Sequence, residues 1–342
     1  MTMREPLQRT LTLARHEYRA AVRSRALVAL TAVLVAATVA SVYVASVNYR
    51  SQLADYQAYV AAATAGGVTR LAPSPLALLS LLRGALEYIE IIGAIIAIAL
   101  GYLSVSRERA NRTWALIRSR PVTAGELAAG NVLGATAVIA TIVAAVATVA
   151  VVCLGVIGHD WVNAGQAVKL VLAYLSAILY MLVFYCLGVV VTARSRVAAN
   201  GLMIALGIWL VVVLILPQIG DTLDADNQVP GGLFSSLGLK KPQEDLILTH
   251  FAGYERARNW IEEASFAKHF ERFSFAMTDV KAKYRDLTLG ELLVEKRVDL
   301  AWMAFYVVLL GEAMRRTFRS APRASRRTIR SQQKLSNRKA LS

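Results

Sequence analysis

Residues 127–158 read L-A-A-G-N-V-L-G-A-T-A-V-I-A-T-I-V-A-A-V-A-T-V-A-V-V-C-L-G-V-I-G, without a single charge. A bilayer core about 30 Å thick needs about 20 apolar residues at 1.5 Å rise each, so this run can span it and overhang. Working outward, Ala26 to Val47 is uncharged, and Leu170 to Ala193 lies between Lys169 and Arg194. Val197 to Gly220 follows almost at once. Ile91 to Ser106 is another such run, extendable backwards across Glu90 and Glu87 to Gly84. Leu300 to Gly311 is short and becomes adequate only as Val298 to Met314, with Glu312 snorkelling at its end. The expected fold is an all-α polytopic membrane protein with six transmembrane helices, five within 26–217 and the sixth at 300–314.

Composition agrees. The 342 residues are 56% hydrophobic and 18% charged, against about 45–50% and about 25% in soluble domains. That excludes a disordered chain and argues against a soluble enzyme. The net charge of +15 would suggest nucleic acid in a soluble protein, but its distribution gives it another role. Arginines crowd residues 1–25, the 107–126 loop, the Arg194–Arg196 turn and the 315–342 tail. With six spans these four segments share one side, which with Glu312 at the end of the sixth span holds 23 of the 38 Lys and Arg but five of the 23 Asp and Glu. The other side carries 15 basic and 18 acidic residues. By the positive-inside rule the basic side is the cytoplasm. Both termini are expected there, with no nucleic-acid partner and the lipid bilayer as surroundings. The first apolar run exceeds the core of a signal peptide and is expected to stay in the mature protein.

The regions between spans differ in character. Within 1–25, residues 9–25 read as an amphipathic interfacial helix, with Leu11, Ala14, Tyr18 and Ala21/Val22 on one stripe and Arg15, Arg19 and Arg23 on another. Asn48 to Leu82 reads as a long outer loop, with Leu76 to Leu82 a short interfacial or re-entrant piece. Residues 218–299 read as a small, mostly helical extracytoplasmic domain that packs on the membrane helices or on a second copy; Phe266, Phe270 and Phe273 repeat at helical spacing there. Residues 315–342 form a basic cytoplasmic tail. Cys153 and Cys186 lie at different membrane depths and are expected to stay unpaired.

No G-x-x-x-x-G-K-[ST] loop is present, so the chain has no P-loop for ATP. The four histidines lack ligand spacing, so no metal site is expected, and His269 is expected at a surface. Arg83, Glu87 and Glu90 stand at i, i+4, i+7 on the second span. They either line a path or helix interface, or form an Arg83–Glu87 pair at the outer mouth with Glu90 snorkelling. The segment S-R-E-R-A-N-R-T-W-A-L-I-R-S-R-P-V-T-A-G-E-L-A-A-G-N-V-L-G, residues 106–134, is the most informative. Residues 106–118 can be a short helix, which Pro121 breaks. Thr123 and Glu126 then have capping-box spacing, and Gly130 and Gly134 form a G-x-x-x-G face for helix packing. The hairpin 106–126 is tied to two spans, so a force on it would tilt both.

This segment resembles the signature of type-2 ATP-binding cassette permeases, closest to the nitrous-oxide-reductase maturation and gliding-motility branch. There an acidic residue is followed by G-T, a leucine-rich stretch, S-R-P-V and G-K. Glu108, Thr113, Ser119-Arg120-Pro121-Val122, Glu126 and Gly130 match, while Arg112 stands for the usual Gly and Asn131 for the usual Lys. Leu13 to Ala26 is similar to the family's elbow helix, Ala264 to Ser274 to the segment before its last span, and Arg315 to Arg319 to its closing basic stretch. The resemblance implies the permease subunit of an exporter-type complex in a cytoplasmic membrane. It also implies a second membrane subunit, as in a homodimer, and a separate ATPase subunit that binds ATP and Mg. Glu108, Arg112, Trp114, Ile117, Arg118, Pro121 and Glu126 would then couple to that subunit; otherwise Trp114 simply rests at the lipid interface. The alternative function is a mechanical or assembly factor, relaying ATP-driven motion to an extracytoplasmic protein partner through 218–299.

Overall fold

The computed structural model describes residues 4–67, 77–110, 123–223, 237–238, 243, 249, 252–285 and 287–319, and among them there is no strand. Helices dominate because a lipid-embedded segment must satisfy its own backbone polar groups. The elements are α1 (Arg4–Val22), α2 (Arg25–Ala65), α3 (Leu78–Ala110), α4 (Ala124–Ile157), α5 (Ala164–Arg194) and α6 (Ala198–Gly220). They are followed by α7 (Ala252–Ala264), α8 (Phe266–Met277), α9 (Leu289–Glu295) and α10 (Arg297–Arg319). Five of them, α2 to α6, are long and apolar enough to cross a membrane. α10 has 23 residues but carries Arg297, Asp299, Glu312, Arg315, Arg316 and Arg319 around a short apolar middle.

Local chemistry sets the helix ends. Thr123 accepts from the Glu126 N–H at 3.1 Å while the Glu126 carboxylate accepts from the Thr123 N–H at 2.6 Å, the capping box its spacing predicts. Asn163 and Gln166 open α5 in the same way. Inside the spans, Thr31, Thr38, Thr136, Thr141 and Thr148 return their hydroxyls to the carbonyl four residues back, so these polar groups sit in apolar helices without a penalty for lost hydrogen bonds.

Two expectations change. The stretch 48–65 is not a loop: α2 continues through it to Ala65, 41 residues in all and about 60 Å long. Helix formers fill it, and the first breaker is Gly66-Gly67. Leu78–Leu82 is a tight helical turn with four leucines buried, and it runs directly into the rest of α3.

α3 and α5 form the centre. Gly101 lets α3 approach α5 so closely that a Cβ there would lie 2.5 Å from the Tyr185 carbonyl oxygen, and one at Gly188 would lie 2.8 Å from that of Ile98. α8 is wedged against α5 and α10. Tyr180 stacks on Phe266 (5.3 Å) and Phe270 (4.6 Å) and meets Phe184 edge-on (5.1 Å), and Tyr306 closes on Phe266 at 5.1 Å. Within 218–299, α8 thus packs on α5 and α10. Cys153 and Cys186 are free thiols.

Candidate functional site

The end of the bundle where the arginines of α1, α3 and α5 gather holds the site. α1 lies on α4, seated by the G-x-x-x-G face. A Cβ on Gly130 would meet the Leu13 Cβ at 2.6 Å, and one on Gly134 would meet the Ala14 carbonyl oxygen and the Glu17 Cβ at 2.7 Å. Only glycine admits so close an approach. The line that α1 buries is Thr10, Glu17 and Ala21, with Leu13 and Ala14 half-buried. The stripe read from the sequence is displaced by about one residue, because Leu11 and Val22 are exposed. They stand on an outward apolar flank beside the basic face.

Glu17 is an acid, 5% exposed, on the buried side of a basic helix. The Arg107 guanidinium donates to its Oε1 at 2.9 Å. Burial raises the Glu17 carboxyl above its ordinary range, against the opposing pull of Arg107, Ser104 and His16. Two residues on, Arg109 donates to the carbonyls of Ala193 (2.7 Å) and Ser195 (2.9 Å). These belong to the last turn of α5 and the residue that caps it, where carbonyls lack intrahelical donors and a cation is favoured. The last turn of α3 is therefore fastened to α1 on one side and to α5 on the other. The Tyr185 hydroxyl adds a bond to the Asn131 carbonyl oxygen at 3.3 Å, linking α5 to α4.

Glu108, half-buried, lies within Coulomb range of Glu17 and Arg107, and Glu126 serves the α4 cap. Arg112, Trp114, Ile117, Arg118 and Pro121 lie outside the described residues. Sequence reading missed Glu17, Arg107 and Arg109 as a unit. The available signal was a lone acid in the middle of an arginine-rich helix, and two arginines at the end of a span.

At the opposite end the Arg83, Glu87, Glu90 stripe divides. Arg83 pairs with Glu87 at 2.7 Å, both partly exposed, and stands over the Phe275 ring. Glu90 is buried, so it does not snorkel; it lies within Coulomb range of Lys268 and Glu271 on α8. It lies in a widened helical turn at Ile89–Gly93, against which α8 packs. The Tyr180 hydroxyl donates to the Glu90 carbonyl at 2.8 Å within that turn. His269 is fully buried rather than at a surface. Its ring meets the Asp299 carboxylate at 2.9 Å and the Glu263 carbonyl at 3.0 Å, with Trp302 stacked on it. Arg272 binds Glu262 and Glu263, and Lys169 binds Asp279 at 2.9 Å. Among the described residues, no group of three or more His, Cys, Asp or Glu is placed to hold a metal.

A family model described as ABC-2 family transporter protein matches residues 11–309. The chain belongs to the ABC-2 transporter family. As an ABC-2 protein it is a multi-pass permease subunit of an ATP-binding cassette transporter, and that family implies an ATPase partner. No curated protein matches the sequence. In this ABC-2 permease the matched region takes in all five apolar spans and most of α1 and α10.

Proposed function

We propose that this permease is the membrane subunit of an exporter-type complex, paired with a second copy of itself and driven by two separate ATPase subunits that bind ATP and Mg. In this reading α1 is the elbow helix and α10 completes six spans. Both termini and residues 106–126 face the cytoplasm, and residues 218–299 lie outside the plasma membrane. The asymmetry of basic residues supports that orientation. The closer likeness to nitrous-oxide-reductase maturation and gliding-motility permeases rests on the S-R-P-V motif at Ser119–Val122.

The observation that carries the coupling role is the double fastening of α3 through Arg107 and Arg109. A load on the hairpin reaches α1 and α5 through short charge-assisted bonds, which are stronger and more directional than neutral ones. The dock includes Glu108, Arg112, Trp114, Ile117, Arg118, Pro121 and Glu126. The chain itself hydrolyses no ATP, for want of a P-loop.

The test is co-purification with the ATPase subunit. Trp114→Ala and Glu108→Ala leave the protein inserted but weaken that association by about 2 kcal/mol, the loss typical of an interface anchor, which is roughly thirtyfold. Unchanged association and ATP turnover in both would place the dock elsewhere. A second reading, mechanical relay without cargo, draws support from the aromatic wedge of α8, which ties 218–299 to α5 and α10. Movement of cargo into sealed vesicles separates the two.

A further inference from the structure

α1 and α2 are consecutive, yet each rests on α4 and they barely touch one another. The chain breaks between them at Ser24, whose backbone is extended (φ −76°, ψ 110°). α1 follows α4 from Gly130, where Leu13 sits, to Thr141, whose hydroxyl lies 3.4 Å from that of Tyr18. A groove of about 160 Å³ remains where the three helices meet. Ala21 and Val22 line it from α1, Leu27 and Val28 from α2, and Val138 and Ile142 from α4. Thr31 and Thr141 also reach its wall, but their hydroxyls bond to the carbonyls of Leu27 and Ala137. The wall therefore presents mainly hydrocarbon, which suits an apolar occupant and penalises a polar one.

The surroundings of the groove have the opposite character. Arg19, Arg23 and Arg25 all lie within three residues of Val22 in the chain, and all are exposed. Among the described residues none of the three has an ion-pair partner. Glu17 on α1 is buried and held by Arg107, and the first turn of α2 contains no acid. Three unpaired cations thus gather beside an apolar groove, at the point where α2 begins its span. Arginine binds phosphate oxygens through paired, charge-assisted hydrogen bonds, and basic residues next to a span are drawn to anionic headgroups. A free anion would satisfy the arginines and leave the groove to water. A neutral lipid would fill the groove and leave the arginines unpaired. A second copy of the chain, meeting this patch about a two-fold axis, would set three more arginines against them. One molecule that answers both features has an apolar chain and an anionic head.

We propose that an anionic phospholipid from the leaflet on the arginine-rich side occupies this groove, with one acyl chain between α1, α2 and α4 and its phosphate on Arg19, Arg23 and Arg25. The lipid fills the space that the break at Ser24 leaves, and so fixes the angle at which α1 meets its span. The site depends on α2 crossing the bilayer, and not on the coupling role given to residues 106–126.

Native mass spectrometry tests it, on the full chain released from nanodiscs of phosphatidylglycerol and phosphatidylcholine in equal parts. The parent retains one phosphatidylglycerol per chain in preference to phosphatidylcholine. Each arginine near an anionic surface contributes about fivefold, so Arg23→Gln with Arg25→Gln lowers that retention about 25-fold. Val28→Trp, at an exposed position, fills the groove with every arginine in place. It displaces about two methylenes of the acyl chain and lowers retention about tenfold. Arg194→Gln with Arg196→Gln removes the same charge from the same end of the bundle and leaves retention unchanged. Equal retention of the two lipids by the parent, undiminished retention in either groove variant, or an equal loss in the Arg194 and Arg196 control would overturn the site. So would a disulfide between two chains carrying Val28→Cys in a background free of Cys153 and Cys186, because a second copy would then cover the groove.

Discussion

At the end of the bundle that holds α8, Tyr180 packs against Phe184, Phe266 and Phe270, and Asp299 gathers His269, Arg272 and Lys296 around itself. At the arginine-rich end, α1 sits on α4 and α3 on α5 through glycine seats, and α4 packs on α5, with an ion pair and a tyrosine hydroxyl added between them. The first arrangement buries large rings and crosslinks charges many times over. Removing one member there leaves a cavity or an unpaired charge. The second relies on glycine seats between helices, with few charged crosslinks.

The comparison breaks most directly at the aromatic wedge. Phe270→Ala removes a fully buried ring and is expected to cost about 3–5 kcal/mol. It should appear as a large fall in the thermal midpoint in detergent and as proteolytic release of the α7–α8 region. A midpoint close to the parent's would mean that α8 is a dispensable cover.

A smaller loss is expected at the seat of α1. Gly134→Ala places a methyl 2.7 Å from Ala14 and Glu17, an overpacking worth about 1–3 kcal/mol. Hydrogen exchange should rise along α1 while α5 and α8 keep their protection. Exchange rising evenly over the whole bundle would mean that the seat of α1 is not separable from the rest of the packing.

Arg109→Gln is expected to cost about 1.5 kcal/mol, the lower end for hydrogen bonds made by charged groups. Faster exchange should be confined to the end of α5 near Ala193 and Ser195, with the thermal midpoint little changed.

The smallest effect concerns pH. Burial raises the Glu17 carboxyl above 4.5, so the folded chain holds this proton more tightly than the unfolded one. Its contribution to stability therefore falls as pH rises from about 4.5 through the folded-state value. In thermal unfolding followed across that window, Glu17→Gln should flatten this part of the slope. A slope identical to the parent's would assign it to other groups.

Much of this architecture was legible in the residues. Crossing a bilayer is a property of transfer free energy summed along a segment, so Leu127–Gly158 and the other uncharged runs announce spans without reference to neighbours. Caps are equally local: Thr123 and Glu126 need only their three-residue spacing. The G-x-x-x-G of Gly130 and Gly134 announced a close helix contact, and its partner emerged only when α1 was seen lying on it.

Sequence alone, then, determined the apolar spans, the charge asymmetry and the capped start of α4, because each depends on residues adjacent in the chain. Tertiary structure alone decided that Glu90 and His269 are buried and that Leu11 is exposed. It also decided that Arg107 reaches Glu17, 90 residues away in the chain. Periodicity shows which residues share a face of a helix. Which neighbour that face meets depends on crossing geometry, on glycines that let backbones approach, and on a widened turn such as Ile89–Gly93 that rotates everything beyond it.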